Sequence, residues 1–80
     1  MTKEEVFEKL KESIVEINPI MAKKAAIEAK KIGIDADEAI ENGLSKGMDA
    51  VRREFVEGGL FVPDLFLAAA AFQRAVSILV

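Results

Sequence analysis

Carboxylates and serine hydroxyls are the side chains of this sequence that could take part in chemistry. The densest acidic cluster, Asp35-x-Asp37-Glu38, superficially looks like the start of a calcium-binding loop. A loop of the EF-hand type beginning at Asp35 needs an oxygen ligand at its fifth position and glycine at its sixth, where this chain has Ala39 and Ile40. We therefore interpret the cluster as acidic residues that cap and stabilise a helix N-terminus.

Other catalytic arrangements lack a necessary partner group. Ser13, Ser45 and Ser77 could act as nucleophiles, but the 80-residue chain has no histidine to serve as their base. The glutamates of the first helix could ligate a metal, yet carboxylate sites in helical bundles usually include a Glu-x-x-His pair. The chain also has no cysteine, which excludes disulfides and thiolate sites. The composition predicts a chain that is not an enzyme by itself and has no metal site of its own.

Charge is unevenly distributed along the chain. The net charge is −3, and of 11 basic and 14 acidic residues only Asp64 and Arg74 follow residue 57. Nucleic-acid binders usually carry a basic surface, so no nucleic-acid partner is expected. The uncharged run over 65–73 is far shorter than the roughly 20 residues of a membrane helix, and the N-terminus lacks the order of a signal peptide. We expect a cytoplasmic protein without a membrane partner.

Apolar residues at helical spacing divide the chain into four segments bounded by residues that start or end helices. Thr2 and Glu5 form a capping box before the first helix, which is predicted over about 3–17. The second helix has Asn18 as its N-cap and Pro19 at its first position. No segment shows the alternation of a strand. The sequence predicts an all-α fold, a four-helix bundle with short connections.

The second helix is predicted to run to about Ile32, where Gly33 can adopt the positive φ that ends a helix. Among its lysines it carries four apolar residues, Ile20, Ala25, Ile27 and Ala29. The third helix is predicted to begin at an N-cap, either Asp35 or Asp37. The third helix is predicted to end at Gly58-Gly59.

Two glycines, Gly43 and Gly47, interrupt the third helix. Each costs about 1 kcal/mol relative to alanine in a helix interior. The segment Gly43-x-x-x-Gly47 lacks the Lys-Ser/Thr signature of a phosphate loop. We interpret the glycines as a position of close helix approach or a kink.

The fourth helix is predicted to begin at Pro63, to run to the end of the chain and to be apolar on nearly every face. A bundle of this size covers only part of such a helix, so we expect an exposed apolar patch that marks a binding surface. One interpretation is a protein–protein interaction module whose fourth helix docks a partner or forms a weak homodimer. The other depends on a resemblance to a known family.

This resemblance covers essentially all 80 residues and is sharpest over 39–72. The stretch Ala39-Ile-Glu-Asn-Gly-Leu-Ser-Lys-Gly-Met48, followed by Val51, Phe55 and Gly59-Leu-Phe-Val-Pro-Asp-Leu65, resembles the N-terminal helical cap of cobalamin-binding methyltransferase proteins. These include the corrinoid proteins of methanol and methylamine methyl transfer and the cap of cobalamin-dependent methionine synthase. Arg52 departs from the pattern, since the family usually has glycine there.

The resemblance implies a helical cap over the upper face of a corrin. In such proteins a following α/β domain binds the lower face and supplies a histidine from an Asp-x-His-x-x-Gly motif. This chain has neither the motif nor a βαβ pattern, so we expect residues 1–80 to be one cap domain of a longer chain, holding cobalamin only together with that α/β domain. Partner methyltransferases are also implied. The positions matching corrin-facing contacts are Phe55, Phe61, Val62 and Leu65.

Overall fold

The computed structural model describes residues 2–80, and these residues form helices joined by short connections. The elements are α1 (Lys3–Val15), α2 (Pro19–Lys31), α3 (Ala36–Ala39), a π-helical segment (Ile40–Leu44), α4 (Ser45–Val56) and α5 (Val62–Leu79). The segments from α3 to α4 follow one another without a break and together correspond to the predicted third helix. Residues 2–80 contain no strand. The predicted all-α four-helix bundle is confirmed.

The predicted caps of the first two helices are present. The Glu5 N–H donates to Thr2 Oγ1 at 3.2 Å, and the Thr2 N–H donates to Glu5 Oε1 at 2.9 Å. The Met21 N–H donates to Asn18 Oδ1 at 3.1 Å. The first helix is shorter than predicted, because the backbone leaves the helical region at Ile17, where φ is 54°. The prediction extended the first helix to Ile17 because apolar residues keep helical spacing up to this residue.

The ends of α2 and α3 are close to their predicted positions. Gly33 has φ 81° and follows the C-cap of α2, as predicted. Asp35 is the N-cap residue of α3, but its side chain makes no capping hydrogen bond. The acidic residues Asp37 and Glu38 lie in the first turn, where carboxylates interact favourably with the helix dipole.

Close approach of α1 explains the two glycines of the third helix. A Cβ on Gly43 would lie 2.8 Å from the Cβ of Leu10, and one on Gly47 would lie 2.7 Å from the Cβ of Ile14. Both distances are shorter than side chains tolerate, so only glycine fits. Gly43 lies within the π-helical segment, so the helix is also locally irregular at this contact.

Alanines form much of the core between α2 and α5. The buried residues of α2 are Ala22, Ala25, Ala26 and Ala29. Those of α5 are Ala68, Ala71, Ala75 and Leu79. The larger buried side chains are contributed chiefly by α1, with Val6, Leu10 and Ile14. The isoleucines of α2 lie outside this core: Ile20 is 68% exposed and Ile27 is 48% exposed.

Helix α5 is apolar along most of its length. With 18 residues and two charges, Asp64 and Arg74, it is long and apolar enough to cross a membrane by length and composition alone. The uncharged run over 65–73 is only the middle part of this apolar helix, so the length of that run understates the apolar character of α5. In the structure α5 packs along α2 through its alanines, as a helix of the bundle.

Candidate functional site

The four residues predicted to face a cofactor lie around the connection between α4 and α5. Phe55 is in the last turn of α4 and is half-buried. Phe61 is the N-cap residue of α5 and is 75% exposed, and Val62 begins the helix with 51% exposure. Leu65 is half-buried and packs against the core. The structure therefore places two of the four at the surface and two between the surface and the core.

A hydrogen bond fixes the start of α5. The Phe61 N–H donates to Asp64 Oδ2 at 3.0 Å, and the Asp64 N–H donates to the Phe61 carbonyl at 2.9 Å. This is the carboxylate half of a capping box, since a phenylalanine side chain cannot accept the reciprocal hydrogen bond. Pro63 follows at the second helical position, where no N–H is needed. The only carboxylate in the first turn of α5 is thereby turned to its own backbone.

Phe66 extends the exposed apolar surface beyond the predicted set. It is 71% exposed and lies four residues after Val62, so the two side chains lie on the same side of α5. Phe66 lies within the predicted apolar fourth helix, but it is not among the positions that the resemblance assigns to the site. Helical spacing from Val62 was the signal that could have included it. We name the exposed residues Phe61, Val62 and Phe66 the N-terminal patch of α5.

The N-terminal patch of α5 offers apolar surface and aromatic rings but no ligand for a metal. Over residues 2–80 no group of three or more histidine, cysteine or carboxylate side chains could hold a metal ion. The buried side-chain nitrogen and oxygen atoms of these residues all have hydrogen-bond partners. A surface of this kind can pack against a flat, apolar partner and exclude water from it.

The fold and the patch define a small all-α domain, a helical bundle with exposed apolar side chains at the start of its last helix. Comparison with known proteins gives the family. Residues 6–80 match the family described as B12 binding domain, and the chain belongs to this family. Cobalamin, the cofactor that the resemblance implied, is the group for which the family is described.

Several relatives are corrinoid proteins of Methanosarcina species. The chain is 42% identical over 77 residues to trimethylamine corrinoid protein 2 of Methanosarcina acetivorans, covering 96% of this chain and 36% of the relative. It is 40% identical over 78 residues to dimethylamine corrinoid protein 2 of Methanosarcina mazei, covering 98% of this chain and 36% of the relative. The predicted family resemblance is confirmed.

A solved structure shares the fold. The structure of the Methanosarcina barkeri monomethylamine corrinoid protein matches with a TM-score of 0.92 and 31% sequence identity, covering 98% of this chain and 37% of that one. The chain thus spans a little more than a third of the length of the relatives it matches.

Proposed function

We propose that this chain is the helical cap of a corrinoid methyl-carrier protein and covers the upper face of protein-bound cobalamin. The observation that carries the proposal is the exposure of Phe61 and Val62 at the start of α5, in a chain that belongs to a B12 binding domain family. When bound, cobalamin supplies a cobalt centre that can carry a methyl group. We propose that a following α/β domain holds its lower face.

The residues present fit a cover rather than a ligand. Phe61 and Val62 can pack directly against the macrocycle and exclude water from its upper face. Phe55 and Leu65 are half-buried, so they can support these two side chains from below while contributing part of their own surface. The absence of histidine and cysteine from the sequence means that the cap offers no strong competing ligand to cobalt.

Capping also requires that the contact can be released. Apolar burial contributes about 25 cal/mol per Å², so a patch of three side chains stabilises the closed arrangement by a few kcal/mol at most. The Asp64 carboxylate is engaged at the start of α5, where it accepts a hydrogen bond from the Phe61 N–H. We propose a non-catalytic role for the domain, in a cytoplasmic protein that acts with partner methyltransferases.

The proposal is tested by placing the cap over a bound cofactor. The matched segment of the trimethylamine corrinoid protein 2 of Methanosarcina acetivorans is replaced by this chain, and the chimera is loaded with methylcobalamin. We expect slow photolysis of the bound methylcobalamin, since a closed apolar cover keeps the photolysis products together so that they recombine. Phe61→Ala removes on the order of 1–3 kcal/mol of apolar burial and should accelerate photolysis several-fold.

Leu67→Ala provides the matched control. Leu67 is 56% exposed on α5, but it points about 140° around the helix from Val62. Its replacement should leave the photolysis rate unchanged, and the circular dichroism spectrum of every variant should stay helical. An equal rate for Phe61→Ala and the unmodified chimera would show that Phe61 does not cover the cofactor. Tight cobalamin binding by the isolated 80-residue chain would contradict the need for a second domain.

A further inference from the structure

The outer surface of α2 combines exposed lysines with exposed isoleucines. Ile20 and Ile27 are exposed two helical turns apart, and lysines lie between and after them. Residues at this spacing share one side of a helix, opposite the alanines that pack in the core. We name this surface the α2 stripe; its residues are Ile20, Lys23, Lys24, Ile27, Lys30 and Lys31.

The α2 stripe has a charge opposite to that of the rest of the chain. Helix α2 contains four lysines and one acidic residue, Glu28, which gives it a net charge of +3. The whole chain carries −3, so the residues outside α2 carry −6. The ion pairs within residues 2–80 join Lys3 to Glu38 and Arg52 to Asp49, and none involves α2. The positive charge of the stripe is therefore available to a partner.

Grooves on both sides of α2 extend the positive surface. The groove between α1 and α2 is lined by Lys9 and Lys24 together with one carboxylate, Glu28, above an apolar floor that includes Val6. The groove between α2 and α5 is lined by Lys23 and Arg74 without any acidic residue. Cations from three helices thus border the exposed isoleucines.

We propose that the α2 stripe docks an acidic, amphipathic surface of a partner protein, in which carboxylates flank an apolar ridge. Ile20 and Ile27, about 10 Å apart along the helix, would contact the ridge, and the lysines would pair with the carboxylates. Complementary charge of this kind orients and accelerates the encounter of two proteins. A positive surface on an acidic chain also disfavours basic partners, since like charges brought together repel.

This surface is separate from the N-terminal patch of α5. Lys30 Nζ donates to the Ile78 carbonyl at 3.2 Å, so the end of the α2 stripe lies beside the C-terminal end of α5. Val62, in the N-terminal patch, is about 24 Å from Ile78 along the axis of α5. The C-terminal end of the stripe is therefore remote from Phe61.

The test uses a defined acidic helix as probe. A synthetic helical peptide with leucines seven residues apart and glutamates beside them is titrated into the isotope-labelled chain. We expect amide chemical-shift changes on α2 and along its two grooves, and weaker binding at higher salt. The double variant Lys23→Glu/Lys24→Glu should bind about tenfold more weakly, and Ile27→Gln should bind several-fold more weakly.

The matched control reverses two charges elsewhere. Lys46→Glu/Arg53→Glu makes the same change in net charge on exposed positions of α4 and should bind as the unmodified chain does. An equal loss of affinity for the peptide in both double variants would show that binding depends only on the net charge of the chain, and it would overturn the proposal. It would also be overturned by shifts confined to the N-terminal patch of α5, or by stripe shifts that depend only on the chain's own concentration.

Discussion

The Asp64 carboxylate accepts a hydrogen bond from the Phe61 N–H at 3.0 Å, so one residue both starts α5 and fixes the backbone of the most exposed aromatic residue at the candidate site. Phe61 is 75% exposed, and its side chain is not held by the core. Its position therefore depends on the backbone at the N-cap. The same hydrogen bond therefore caps α5 and positions Phe61 at the candidate site.

Replacing Asp64 should disturb stability and site together. Asp64→Ala removes the acceptor at the N-cap and should lower the free energy of unfolding by about 0.5–2 kcal/mol, measured by urea denaturation. Backbone relaxation at Phe61 and Val62 should show increased motion in the same variant. Asp64→Asn keeps an oxygen acceptor and should retain most of the stability. Unchanged stability and motion in Asp64→Ala would show that the hydrogen bond does not fix the start of α5.

The contact of α1 with the third helix can be tested at Gly47. Alanine usually stabilises a helix interior by about 1 kcal/mol relative to glycine. Here the added Cβ would lie 2.7 Å from both the Cβ of Ile14 and the backbone oxygen of Lys11, and neither atom can move without moving α1. We expect Gly47→Ala to destabilise the fold by about 1–3 kcal/mol in thermal or urea unfolding.

Lys46→Ala is the control for this substitution, because Lys46 is the exposed neighbour on the same helix. Its effect should stay within about 0.5 kcal/mol. A Gly47→Ala variant as stable as the unmodified chain would mean that α1 and α4 can separate at little cost.

Caps and glycines were the most predictable features of this fold. Asn18 caps α2 through its side-chain oxygen, and Gly33 ends the helix through its backbone conformation. Both act locally, so their roles could be deduced from the sequence. The end of α1 could not be deduced from the sequence, because Ile17 adopts φ 54°. This conformation is unusual for a β-branched residue and depends on the surrounding structure. Apolar spacing gave no sign of it.

The candidate site was only partly predictable. The excess of apolar residues at the start of α5 correctly indicated an exposed patch, since a small bundle cannot cover every face of that helix. Which residues are exposed depends on how α5 is rotated against α2. That rotation is set by the alanine contacts, and it buries Ala68 while exposing Phe66. The same alanine packing leaves Ile20 and Ile27 at the surface, which the composition of α2 alone did not indicate.

The capping box of α1 should make stability depend on acid. The Thr2 N–H and hydroxyl both form hydrogen bonds in this box, and these interactions with Thr2 hold the pKa of Glu5 below its ordinary value. A carboxyl with a lowered folded-state pKa stabilises the fold above its unfolded-state pKa, and this contribution is lost as pH falls through the folded-state pKa. Unfolding measured from neutral to acidic pH should therefore show a Glu5-dependent loss on the acidic side.

Glu5→Gln should remove that part of the pH dependence while leaving the helix formed. Glu8→Gln, one turn later, removes a carboxylate from the same helix without touching Thr2. This variant should retain the Glu5-dependent loss of stability at acidic pH. Direct titration of the Glu5 carboxyl by NMR gives the direction of its pKa shift independently. A Glu5 pKa at or above the ordinary value would contradict the hydrogen-bonded capping box.

The exposed N-terminal patch of α5 should also produce weak self-association of the isolated chain. Phe61, Val62 and Phe66 form an apolar surface that the 80-residue chain does not cover, and such surfaces drive association in water. A two-fold arrangement would bring two copies of the patch together. We expect sedimentation equilibrium to show an apparent mass rising from the monomer towards the dimer at concentrations approaching about 1 mM, where a few kcal/mol of association become visible.

Phe66→Ser should shift this rise to higher concentration, whereas Ile27→Ser, on the α2 stripe, should not. A strictly monomeric chain at that concentration would show that three exposed apolar side chains are too few to hold two copies together, and an effect of Ile27→Ser equal to that of Phe66→Ser would place the contact on the α2 stripe instead.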